Sequence, residues 1–275
     1  MLGCNLRCAY CWVPDSKKIG IECLPEEFPY QKPKDTYAIL KQEAIAYGVK
    51  RVRVSGCEPL LNPRHLFPII RKAVKDGYDY VLDTNGLLLT EEFLLSIKPF
   101  RDKIYIYMGL KGSTPELFQE ISTAEAKYWS RQIEALRLVV KHGFTLGVNV
   151  MANFTPPETL PSLFDTLYDV SPILPICVDM KYCTFFVHNT ERIKNYGIQR
   201  YNANDVSSRW NWILIKYYEP TMIGHYQLRE TSRAFERKEL ESLQQNIEWH
   251  NGLKFVALPK IQFTIPVAKE TFKRP

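Results

Sequence analysis

No apolar run in these 275 residues approaches the roughly 18 that a membrane-spanning helix requires. The start, Met1-Leu2-Gly3, has neither a basic n-region nor an apolar h-region, so no export signal is expected. The chain contains no long internal repeat and no low-complexity linker. Acid–base and nucleophilic constellations are missing too. The five histidines (His65, His142, His188, His225 and His250) are scattered, and none pairs with an obvious carboxylate string. Cysteine is scarce and odd in number, at seven, which speaks against a disulfide framework and for a reducing, cytoplasmic compartment.

What is present reads as globular: 45% hydrophobic and 24% charged residues, in a chain long enough to bury a large core as one α/β barrel-like domain or two smaller ones. The net charge of +6 is spread out, with short clusters at Lys17-Lys18 and Lys50-Arg51-Arg53. Two readings stand, an ordinary basic surface or a face for nucleic acid or an acidic partner.

Along the chain, residues 12 to 34 carry Pro14, Pro25, Pro29 and Pro33 and read as an irregular loop. Helical spacing is expected over 35–47, 64–75, 91–98, 115–121, 126–141 and 157–170. Strands are expected over 51–55, 78–82, 103–110, 144–151 and 174–180. Such alternation implies a parallel sheet covered by helices, either doubly wound or a barrel, with chemistry at the C-terminal ends of the strands. The first three strands deliver Gly56-Cys57-Glu58-Pro59, then Asp83-Thr84-Asn85-Gly86, then Lys111-Gly112. Turn chemistry alone would explain part of that placement. Beyond residue 190 the repeat stops: 191–217 and 228–249 look mainly helical, with Trp210, Trp212, Tyr217 and Tyr218 spaced as core residues, and 254–258 with 262–265 could pair as strands.

The sharpest local signal is Cys4-Asn5-Leu6-Arg7-Cys8-Ala9-Tyr10-Cys11, a C-x3-C-x2-C string. Three soft thiolates on one short loop can hold three corners of a [4Fe–4S] cluster and leave one iron open. A structural zinc knuckle completed by Cys23 or a distant histidine is the competing reading.

With GCEP, DTNG and LKG following in order, the chain resembles the radical S-adenosylmethionine (SAM) superfamily over about residues 1 to 185. Within it, the glycyl-radical-enzyme activating-enzyme (pyruvate formate-lyase activating enzyme-like) branch looks most similar. The resemblance implies an α/β fold, a partial (β/α)6 TIM-like barrel, with a mainly helical C-terminal extension over 186–275 that caps the barrel or binds a partner. A barrel strand should precede the cysteine loop, and only three residues stand before Cys4, so that first strand is expected to be missing or truncated.

The implied cofactors are a [4Fe–4S] cluster on Cys4, Cys8 and Cys11, and SAM bound at its open iron. Gly56, Cys57, Glu58 and Pro59 match a loop that supports the SAM amino group, with Cys57 in place of a second glycine. Asp83 and Asn85 match an acidic turn near the SAM carboxylate, and Lys111 a lysine that neutralises it, while Gly109 stands where that string carries an aspartate. Tyr10 precedes the last ligand. Asn149 and Met151 end the fourth expected strand and are candidates for the adenosine pocket, as are Met180 and Lys181 on the next. The implied reaction reductively cleaves SAM to a 5′-deoxyadenosyl radical that abstracts hydrogen from a substrate: a protein glycine, an RNA base or a small molecule. A reductant such as flavodoxin or ferredoxin is the implied partner, with no membrane involved. A non-catalytic iron–sulfur or zinc module is the reading from a different class.

Overall fold

The computed structural model describes residues 3–13 and 31–217. In chain order α1 spans Pro33–Ala46, β1 Arg51–Arg53, α2 Pro63–Lys75, β2 Asp79–Thr84, α3 Glu91–Ile97 and β3 Ile104–Leu110. Then follow α4 Pro115–Ser122, α5 Trp129–Lys141, β4 Thr145–Met151, α6 Leu160–Val170, β5 Val178–Lys181, α7 Val187–Asn195 and α8 Ala203–Tyr217. The strands form a five-stranded parallel sheet in the order β1-β2-β3-β4-β5. Each parallel neighbour is reached through a crossover, as the helical patterns between the strands require.

Local chemistry explains the elements. Before α2, the Asn62 side chain accepts from the His65 amide at 3.0 Å, satisfying one of the free N–H groups at the helix start. Its buried residues, Leu66, Ile69, Ile70 and Ala73, recur at helical spacing and form one stripe. Burial of each large side chain there contributes about 1.5–3 kcal/mol. Thr90 and Thr114 cap α3 and α4 in the same way.

The register separates the two faces of the sheet. Across the strands, Thr84, Met108, Val148 and Val178 lie in one row and Leu110, Val150 and Met180 in the next. This apolar face joins buried residues of α1, α2, α3, α5, α6 and α8 in a single core. Residues one position along each strand point the other way. Arg53 then shares a face with Val81, Tyr105 and Thr145; Asp83 with Tyr107 and Gly147; and Gly109 with Asn149 and Asp179. Helices cover the apolar face and polar side chains line the other, which is the arrangement of a partial barrel rather than a sheet wound on both faces.

Three expectations are corrected. The stretch 174–180 is not all strand: Leu174–Cys177 is a 3-10 turn and β5 begins at Val178. Pro175 lacks the N–H a ladder needs, so the pairing starts only after it. Trp210 is a core residue at 1% exposure, but Trp212 is 68% exposed and Tyr217 59% exposed. Ala203, Val206, Trp210 and Leu214 form the buried stripe of α8, and a residue two places from Trp210 falls on the opposite side. Met180 sits in the row with Leu110 and Val150 and packs toward the helices, so it does not line the polar face. The readings for 14–30, 228–249, 254–258 and 262–265, and the strand expected ahead of the cysteine loop, lie outside the described residues.

Candidate active site

The cysteine loop is held from both sides of its backbone. Its N–H groups donate to the end of α4, Arg7 to the Ser122 carbonyl at 3.1 Å and Ala9 to the Ile121 carbonyl at 2.9 Å. The last carbonyls of a helix have no partner inside it, so α4 offers them without loss. The loop's carbonyls accept from α7. Arg192 donates from Nε to Ala9 O at 2.9 Å and from Nη2 to Cys11 O at 2.5 Å, while Asn189 Nδ2 donates to Tyr10 O at 3.3 Å. His188 Nε2 lies 2.7 Å from Trp12 O. Leu6, Cys8, Ala9 and Tyr10 are buried in a second, smaller core with Phe118, Ile121, Phe154 and Ile193, and the Tyr10 ring stacks on Phe154 at 5.1 Å.

The three strand-end strings are joined by two buried side chains. Glu58, 1% exposed, accepts from the amides of Leu60 at 3.0 Å and Asn85 at 2.7 Å and from the Thr84 hydroxyl at 2.8 Å. Its own amide donates to Gly3 O at 3.0 Å. Burial raises the Glu58 carboxyl to about 7 against those donors, which favour the anion. The carboxylate thus ties the GCEP loop to the DTNG turn. Gln132 of α5, fully buried, does the same one strand further on. Its Nε2 donates to Asn85 O at 2.6 Å and Gly109 O at 3.1 Å, and its Oε1 accepts from the Lys111 amide at 3.0 Å.

Lys111 bends back over Gly109. A Cβ built on Gly109 would meet Lys111 Nζ at 2.5 Å and the Asn149 amide group at 3.3–3.4 Å. The ammonium thus fills the room that the aspartate of the resembled string would need. It also lies 5.8 Å from the Tyr10 ring centroid. Burial works against its charge, but the anionic forms of Tyr10, Cys8 and Cys4 together with Asp83 outweigh that and raise the Lys111 pKa. Asn85 Nδ2 donates to Asn5 Oδ1 at 2.8 Å and comes within 4.0 Å of Cys4 Sγ. Gly56 has φ of 120°, a conformation that a side chain would strain. Cys57 is half-buried beside it, and Pro59 opens a short 3-10 turn.

Asp83 faces the polar side of the sheet, where Arg53 Nη1 donates to it at 3.0 Å and Ser55 lies at 3.4 Å. On the same face Tyr107 OH donates to Asp179 at 2.9 Å, and Lys181 Nζ lies 2.6 Å from that carboxylate. Burial and Asp179 raise the Tyr107 phenol, keeping it a donor. Together these side chains make a charged, hydrogen-bonding wall below the cysteine loop. Met151 instead packs against the small core of that loop.

The donor set is chemically suited to an iron–sulfur cluster. Among the described residues, no three His, Cys, Asp or Glu side chains converge on a point that would hold a single ion. The three loop thiols are soft donors fixed on a braced backbone, and Cys23 lies outside the described residues. Burial raises the Cys4 thiol, so the positive charge of a bound metal would be what makes it a thiolate.

Sequence reasoning brought Cys4, Cys8, Cys11, Tyr10, Glu58, Asn85, Lys111 and Asn149 to one end of the sheet, and the structure places them there. It missed Gln132, Asn189 and Arg192. Gln132 left a signal, a polar residue inside the buried stripe Ile133, Leu136, Val139 and Val140 of α5. Arg192 and Asn189 left none, because their partners are backbone carbonyls.

The family profile described as Radical SAM superfamily matches residues 1–167. A GTP 3′,8-cyclase of Staphylococcus carnosus is 30% identical over 161 residues, covering 54% of this chain and 42% of that protein. A probable GTP 3′,8-cyclase of Methanococcus maripaludis is 29% identical over 199 residues, covering 71% and 59%. The chain spans about half the length of the curated relatives it matches. SuiB of Streptococcus suis, bound to S-adenosylmethionine, aligns with a TM-score of 0.57 and 15% identity over 84% of this chain and 52% of SuiB, a likeness of fold. These relatives correct the placement in the glycyl-radical activating branch: the resemblance holds for the superfamily, and the two similar sequences named above are described as a GTP 3′,8-cyclase and a probable one.

Proposed function

The chain belongs to the radical SAM superfamily, and from that footing we propose that it is an enzyme that removes a hydrogen atom from a small polar molecule. Cys4, Cys8 and Cys11 would hold the [4Fe–4S] cluster. Bound together, the reduced cluster and SAM supply a 5′-deoxyadenosyl radical. Lys111, held over Gly109 beside Asn149, would receive the SAM carboxylate, since a buried carboxylate needs a cation. The backbone of Gly56 to Pro59, fixed by the Glu58 carboxylate, would offer its polar groups to the amino end.

The observation that carries the substrate reading is the polar face of the sheet. Arg53, Asp83, Tyr107, Asp179 and Lys181 are held in place by one another and present donors and acceptors below the cysteine loop. Such a wall orients a hydrogen-bonding molecule, and relatives named for GTP make purine nucleoside triphosphates the first to test.

The test is anaerobic reconstitution, followed by mass spectrometry of 5′-deoxyadenosine formed with a panel of deuterated nucleotides and small polar metabolites. Deuterium transfer into 5′-deoxyadenosine is expected from one of them. SAM cleavage that persists in Cys4→Ala, Cys8→Ala and Cys11→Ala proteins would overturn the assignment.

A further inference from the structure

The helix after β5 does more than cover the end of the barrel. Arg192 is 4% exposed, and its guanidinium bonds the carbonyls of Ala9 and Cys11, the residues just after Cys8 and at the last cysteine. Asn189, fully buried, bonds the Tyr10 carbonyl between them and also the Thr184 carbonyl on its own segment. Cys183, two residues beyond β5, is fixed by its amide donating to Asn153 Oδ1 at 2.7 Å.

We propose that Arg192 is a positioning residue for the cysteine loop and that its buried charge raises the reduction potential of the cluster held there; this rests on the functional reading above. The physical reason is a difference between two charge states. Three thiolates around a [4Fe–4S]2+ core leave a net negative charge, and one electron from a low-potential donor makes it more negative. A fixed cation close to the loop stabilises the reduced state more than the oxidised one, and low exposure weakens screening by water and salt. The two hydrogen bonds fix where that cation sits. Guanidinium geometry suits the task, because Nε and Nη2 form a rigid planar fork that reaches both carbonyls at once, whereas an ammonium on a flexible stem has no such fixed geometry.

The experiment compares wild type, Arg192→Gln and Arg192→Lys as full chains. Each is reconstituted anaerobically, assayed for iron and titrated with dithionite while the reduced cluster is followed by electron paramagnetic resonance. Arg192→Gln is expected to lower the midpoint potential by at least 59 mV, a tenfold change for a one-electron couple, and Arg192→Lys to recover part of that loss. In the metal-free proteins, alkylation of the buried Cys8 should be at least about tenfold faster in both variants, since neither carries the rigid fork that spans both carbonyls; that factor corresponds to ~1.4 kcal/mol. Arg192→Gln with wild-type iron content and an unchanged potential overturns the proposal. Should Arg192→Gln hold no iron, Arg192→Lys decides, and an unchanged potential there with unchanged Cys8 alkylation overturns it as well. Wild-type protein that holds no iron overturns the functional reading itself, an outcome seen before either variant is compared.

Discussion

A side-chain carbon on Gly109 would lie 2.5 Å from the ammonium of Lys111. The two residues therefore share one space, and glycine is what allows the lysine to fold back between Tyr10 and Asn149. The obstruction is the flexible tip of Lys111, so Gly109→Ala should displace the ammonium while costing the fold no more than ~1 kcal/mol. The expected outcome is SAM affinity weaker by about tenfold, or ~1.4 kcal/mol, measured by equilibrium dialysis on reconstituted protein. Unchanged affinity in Gly109→Ala would remove Lys111 from the SAM site.

Glu58 gives a pH dependence. Its folded-state pKa, about 7, stands above the ordinary 4.5, so the folded protein holds this proton more tightly than the unfolded chain. Stability from this group is fully present below about 4.5 and is lost as pH rises through about 7. Glu58→Gln cannot ionise, but one of its donors would face the Asn85 amide, a cost of ~1–3 kcal/mol. Denaturant unfolding of metal-free protein should show wild type ahead of the variant at the acid end, with the gap narrowing as pH rises. A gap that widens with pH would contradict this account.

The strands, the crossover helices and the position of the three strand-end strings were legible because burial imposes period 2 or 3.6 on the chain. Each string also sits at the end of a run with that period. The connections between strings were less legible. Glu58 could be read as part of a motif, yet its bonds to Thr84 and Asn85 span 26 and 27 residues. The clamp from α7 was invisible, since a backbone carbonyl makes no demand on the identity of the residue that carries it. Pro175 shows the opposite case, a local rule that should have delayed the start of the expected strand to Val178 and was outweighed by the apolar run around it.

The polar wall predicts a coupling defect. Asp179 accepts from Tyr107 and pairs with Lys181, so Asp179→Asn weakens the charge that holds both. Once a substrate is identified, product formed per 5′-deoxyadenosine should fall about tenfold in Asp179→Asn, the effect of roughly 1.4 kcal/mol of lost orientation. Liquid chromatography with mass spectrometry of both products measures that ratio directly. A wild-type ratio would place the substrate away from this face.

The two tryptophans of α8 test the packing of the segment beyond the cysteine-bearing half. Trp210 is buried against Phe164, with ring centroids 6.1 Å apart, and belongs to the main core. Its truncation removes a large apolar volume that α6 and β-sheet residues cannot refill, so Trp210→Ala should destabilise by ~3–5 kcal/mol. Trp212, on the opposite side of the helix and 68% exposed, should change stability by no more than ~0.5 kcal/mol when truncated. Urea unfolding of the two variants side by side measures both. Equal effects would mean that α8 does not present the face described, and that its stripe of Val206, Trp210 and Leu214 does not help seal the barrel that carries the site.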